Sequence, residues 1–236
     1  MLELQHELRL SSRRDEKARI AFTGALRSYV LEDMARGLRA VYDAGVQHDP
    51  HRVLRRHPYF QFYSALRVTA QDFVYQSVAP ALQRERERLI ALVREIGLRQ
   101  PLGSLQLHSG FQVPRSVSAI DIHLMPGSYT AEDGADDLTA GATYDNRLAA
   151  SSMGLMGRNL DDIGQSISQF VRAKYPQWQP LRILDLGCTI GHNTGAWKDS
   201  FPAAEVHAID VAAPCLRYAL ARARSQGRAI HFQQMN

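Results

Sequence analysis

From residue 16 to 44, Leu26, Tyr29, Val30, Met34, Leu38, Val41 and Tyr42 recur at spacings of three and four, so the pattern predicts one long helix with Gly45 as its stop. A second helical stretch, 59–78, carries Tyr59, Phe60, Phe62, Tyr63, Phe73 and Tyr75. A third, 81–96, follows Pro80 and turns Leu82, Leu89, Ile90, Val93 and Ile96 inward. Aromatic rings at helical spacing bury so much area that they read as core packing rather than as an acceptor pocket. Residues 1–98 are therefore expected to form a mainly helical N-terminal domain.

The period changes between residues 97 and 146. Short strands are expected at 105–108 and 119–124, followed by a turn-rich stretch, 125–145, with Pro126-Gly127 and Asp133-Gly134. We read 99–145 as a linker or lid. Its acids Glu132, Asp133, Asp136 and Asp137 lack calcium-loop spacing and are expected in a solvated loop, with no metal site.

The third unit, 146–236, begins with a helix at 161–175 that carries Ile163, Ile167, Phe170 and Val171 on one face and ends before Pro176 and Pro180. An apolar strand then starts at Leu181, followed by a helix at 192–201, a strand at 204–211, a helix at 214–226 stopped by Gly227, and a strand at 229–234. Right-handed crossovers make these three strands parallel, so the expected fold is α/β, a partial Rossmann-like β-α-β-α-β unit behind a helical domain.

Composition changes this picture little. The chain has 236 residues, 45% of them hydrophobic, enough for one good core or two modest ones. The first ten residues mix apolar positions with His6, Glu7 and Arg9, and no stretch approaches the length of a membrane span, so we expect a cytoplasmic protein without a membrane partner. The net charge of +4 is dispersed and mixed with acids, as in the run 84–88, which argues for a solvated helix face and against a nucleic-acid partner. Cys188 and Cys215 lack metal-ligand spacing and are expected to be reduced thiols.

Candidate chemistry is concentrated after Leu181. Gly187 and Gly191 allow the backbone to approach a ligand, and the helix start at His192 and Asn193 offers unpaired N–H groups, which suits an anionic or zwitterionic ligand. Asp210 ends the next strand, where a carboxylate can accept from both hydroxyls of a ribose. A dinucleotide-binding unit would show Gly-x-Gly-x-x-Gly, but here Gly187 and Gly191 are four apart with Thr189 between them.

The stretch Asp185-Leu-Gly-Cys-Thr-Ile-Gly191 resembles the first motif of the class I S-adenosylmethionine-dependent methyltransferases, most closely the group that includes the ubiquinone-biosynthesis-type (methyltransferase type 11) enzymes. The resemblance implies that Asp185 and the turn Gly187, Cys188, Thr189 and Gly191 hold the methionine end of the cofactor, Asp210 the ribose hydroxyls, Val211 one face of the adenine and Asn236 the adenine amino group. Thr189 stands where the family has its middle glycine, and Asn236 where it often has an acid. The asparagine side-chain oxygen can still accept from an amine.

These residues imply S-adenosylmethionine-dependent methyl transfer to a small-molecule acceptor. A base is needed only if the acceptor must lose a proton, and the candidates are His123, Tyr129 and Tyr144. The family's sheet has further strands, so we read the chain as the N-terminal portion of a longer methyltransferase or one completed by a partner. The alternative is a non-catalytic cofactor-binding or interaction module. A homo-oligomer is compatible with either.

Overall fold

The computed structural model describes residues 4–44, 49–152 and 154–236. Helix α1 (Arg14–Ser28) runs through a π-helical segment, Tyr29–Met34, into α2 (Ala35–Asp43), so the single helix expected at 16–44 contains one widened stretch. Within it Val30 and Met34 are buried against Ala70. Gly45, the expected stop, lies outside the described residues. A short helix, α3 (Pro50–Arg56), is capped by the Asp49 side chain and leads into α4 (Pro58–Arg99).

Helix α4 corrects the division expected at Pro80. It is one helix of 42 residues with the proline inside it. Proline removes one backbone hydrogen bond and crowds the carbonyl four residues back, a cost of about 3 kcal/mol. Val74 and Val78 before it and Leu82 and Leu89 after it are buried in the same core. Burial of an apolar side chain contributes about 1.5–3 kcal/mol each, so packing outweighs the local penalty.

The stretch expected to be a linker contributes to the sheet. Strand β1 (Ser104–Gln106) replaces the strand expected at 105–108. Three further strands follow, β2 (Arg182–Leu186), β3 (Glu205–Asp210) and β4 (His231–Gln234), and all four are parallel in the order β1-β4-β3-β2. The strand expected at 119–124 does not form. Helix α5 (Arg115–Ser118) and two 3-10 turns, Ile122–Leu124 and Pro126–Tyr129, occupy that region. His123, Leu124, Ser128 and Tyr129 have φ of 57°, 59°, 51° and 70°, a left-handed backbone that cannot enter a pleated ladder. Helix α6 (Thr139–Ser151) starts inside the stretch expected to be a lid. Asp137, expected in solvent, is buried and accepts from the N–H and hydroxyl of Thr139 at the start of that helix.

Helix α7 (Asp162–Lys174) precedes β2. Its apolar face, Ile163, Ile167 and Phe170, is exposed. The face against α8 (His192–Ser200) is made of small residues: Ser168 Oγ lies 2.8 Å from Ser200 Oγ, and a Cβ on Gly164 would fall 2.8 Å from the Asn193 Cα. Helix α9 (Ala213–Ser225) joins β3 to β4.

Register shows which face of the sheet is packed. Ile183 pairs with Val206, and Ala208 with Phe232, on the face against the helices. Leu184 and Leu186, 60% and 69% exposed, align with His207 and Ile209 on the other face. The outer edge of β2 has no strand partner among the described residues. One hydrophobic core, running from Leu8 and Val74 through Ala142 to Leu216 and Phe232, crosses the divisions expected at residues 98 and 145.

Candidate cofactor site

Strand β2 ends at a tight turn. The N–H groups of Gly187 and Cys188 both donate to the Ile209 carbonyl, at 2.9 and 3.0 Å, which ties the turn to β3. Gly187 has φ of 74°, and a Cβ there would meet nothing within 4 Å, so the backbone faces open space. Gly191, at φ of 75°, caps α8, and a Cβ on it would press on the Phe232 ring at 3.3 Å. Between them Thr189 holds φ of 52° despite its branched Cβ. Such a conformation costs about 1–3 kcal/mol and persists only where its surroundings enforce it.

The enforcing contact is Asp210. One of its carboxylate oxygens accepts from the Thr189 N–H at 2.8 Å and the other from the Ala212 N–H at 2.9 Å. Asp185, half-buried beneath the turn, accepts from the Thr194 hydroxyl at 2.5 Å. Burial, and then the nearby charge of Asp210, raises the Asp185 carboxyl above its ordinary range. Neither acid has a Lys, Arg or His within ion-pair distance among the described residues. The turn is thus a cradle with two carboxylates and, among the described residues, no cation paired with either.

The remaining expected residues fall around this cradle. Cys188 is buried, and burial pushes its thiol well up; it and Cys215 are both free thiols. Asn193 is exposed at the start of α8. Val211 is half-buried, and its carbonyl accepts from the Gln234 side chain at 3.1 Å. The Met235 N–H donates to the Asp210 carbonyl at 3.0 Å, which carries the exposed Asn236 to the end of β3.

His192 faces inward. Its Nε2–H donates to Asp145 Oδ1 at 2.8 Å, and Asp145 is fully buried. The Tyr218 hydroxyl donates to the other carboxylate oxygen at 2.7 Å. Nε2 of His6 lies 2.8 Å from that same oxygen without hydrogen-bond alignment, and Arg222 Nε lies 4.0 Å from Oδ1. Burial opposes ionisation of Asp145, yet His6 and His192 hold its carboxyl well below the usual range. Burial, then Arg222, pushes His192 below its ordinary range, which favours the neutral ring.

The three candidate bases, spread over residues 123–144, meet in space. His123 Nδ1 and the Tyr129 hydroxyl share a hydrogen bond of 2.9 Å. The Tyr129 ring stands edge-on to Tyr144 with centroids 5.4 Å apart, and Tyr144 lies 5.7 Å from His192. Burial pushes the Tyr129 hydroxyl up to about 12, with Arg147 opposing, so it stays protonated near neutrality. A continuous row of rings therefore connects exposed His123 to the helix that follows the cradle.

Residues 183–236 match the model of a methyltransferase domain family. The matched segment begins in β2 and includes the turn, both carboxylates and β4. A methyltransferase domain points to S-adenosylmethionine-dependent methyl transfer in general terms. No curated protein matches the chain. No helix among the described residues is long and apolar enough to cross a membrane.

Proposed function

We propose that the chain binds S-adenosylmethionine at the 187–191 turn as a methyltransferase acting on a small-molecule acceptor. The observation that carries this reading is the convergence of Asp185 and Asp210, unpaired with any cation among the described residues, on a glycine turn whose outer side is open. A ligand bearing an ammonium and a sulfonium offsets the repulsion between those acids. When bound, this cofactor supplies an electrophilic methyl group.

The chain's own residues bind and orient. Asp185 and the backbone of 187–191 would face the methionine end. The free lone pairs of Asp210 would take the ribose hydroxyls, Val211 would lie against the adenine, and Asn236 would reach its amino group. Tyr129, a hydroxyl that stays protonated, can take up the acceptor's proton as its own passes to His123 Nδ1. Displacement at a cationic methyl requires chiefly alignment.

The alternative of an interaction module draws on one observation, the bare sheet face at Leu184 and Leu186 beside the open edge of β2. Calorimetric titration of S-adenosylmethionine tests the main reading. Binding is expected in the wild-type chain and absent in Asp210→Ala, with circular dichroism confirming that the variant is folded. Equal affinity in a folded variant would overturn the ribose role of Asp210.

A further inference from the structure

A cavity of about 660 Å³ opens among α1, α4, α6 and the 121–124 turn, away from the cradle. Three arginines from three different helices line it: Arg27, Arg67 and Arg147. The opposing acid is Asp121, and none of the three arginines has a carboxylate within ion-pair distance among the described residues. Leu31, Phe60, Tyr63 and Val68 give the same cavity an apolar wall.

The arginines are not fully satisfied by the protein. Arg147, only 8% exposed, lies over the rings of Tyr75 and Tyr144 at 5.4 and 5.2 Å. Stacking uses the flat face of a guanidinium, and the Tyr129 hydroxyl also draws on the edge of Arg147. Its Nε is buried with no hydrogen-bond partner among the described residues, and so is that of Arg27, whose Nη1 donates to the Gln71 side chain at 2.7 Å. Burial, and then the charges of Arg147 and Arg67, pushes the Arg27 guanidinium below its ordinary range. A buried donor without a partner costs about 1–3 kcal/mol, and converging like charges add to it. An oxyanion would relieve both, and arginine forks match carboxylate and phosphate geometry.

We infer that this cavity binds a small acidic molecule, its carboxylate or phosphate held by Arg27, Arg67 and Arg147 and its apolar body against Phe60 and Tyr63. His123 lines the same cavity and begins the row of rings that leads to His192. The cavity shares no lining residue with the cradle, so the molecule is assigned as a ligand of this site and not as the methyl acceptor.

Calorimetry with benzoate, phenyl phosphate and the neutral isostere benzamide tests the site. At least one of the two anions is expected to bind about tenfold more tightly than benzamide, and to weaken about tenfold in Arg67→Gln or Arg27→Gln. The better anion identifies the head group. Arg67 is exposed, so its variant tests the site without risk to the fold. Benzamide binding as tightly as both anions, unchanged anion affinity in Arg67→Gln, or no anion binding up to about 10 mM would each overturn the proposal.

Discussion

Asp145 and His192, 47 positions apart in the chain, are joined by a buried 2.8 Å hydrogen bond. That bond fastens the first residue of α8, immediately after the cradle, to the middle of α6. The 187–191 turn is consequently held from behind by a polar cluster that also includes His6, Tyr218 and Arg222.

Removing the acid should leave that cluster without its counter-charge. Asp145→Ala is expected to lower unfolding stability by about 3–5 kcal/mol, the usual cost of breaking a buried ionic cluster at one partner. Urea denaturation followed by circular dichroism checks it. A loss below about 1 kcal/mol would show that the cluster contributes little.

The same cluster predicts a pH dependence. His192 titrates below its ordinary range in the folded chain, so the unfolded chain takes up its proton first as pH falls. Its stabilising contribution is complete above about pH 6.5 and is lost as pH drops toward the folded value. Asp145 titrates below its ordinary range as well, so its contribution is complete above about pH 4 and is lost on further acidification. The urea midpoint should fall between about pH 7.5 and 5, and His192→Gln should flatten that slope. A midpoint that rose on acidification through this range would contradict a neutral imidazole.

Strain at Thr189 is measurable. Thr189→Gly removes a branched Cβ from a left-handed position and should raise stability by about 1 kcal/mol, read from the thermal midpoint. A destabilised variant would mean that the threonine side chain makes up for its own strain.

Helix α7 offers a contrast within one element. Gly164→Leu drives a side chain into Asn193 and Ala196 and should cost about 1–3 kcal/mol. Ile163→Ser, on the exposed face, should stay within about 0.5 kcal/mol. Denaturation of the two variants side by side would expose a misassigned face by reversing that order.

These cases mark how far the chain could be read in advance. From Leu181 onward, the alternation of strand and helix periods and the glycine turn are local signals, and the elements fall within two residues of their expected bounds, although Leu184 and Leu186 leave β2 exposed on one face. Pro80 was misleading because packing on both sides of it outweighs a local penalty. The stretch 119–124 was misleading because a two-residue period says nothing about φ. Ile163, Ile167 and Phe170 formed an apolar face as their spacing implied, but Gly164 and Ser168 are what allow α8 to approach. The Asp145 cluster had no sequence signature, since its members come from four segments that only the tertiary fold brings together. His123, Tyr129 and Tyr144 were legible as residue types, but their row of contacts was not.

The proposed adenosyl site rests on the 187–191 turn. Gly187→Ala places one methyl group on the open side of that turn without meeting protein atoms, so the chain should fold with only the small left-handed cost of about 1 kcal/mol. Calorimetric titration of S-adenosylhomocysteine into the two folded chains tests it most directly. Binding to the wild type is expected, with at least about tenfold weaker binding to Gly187→Ala, one methyl clash being worth about 1.4 kcal/mol or more. Equal affinity in both chains would place the ligand elsewhere and contradict the account.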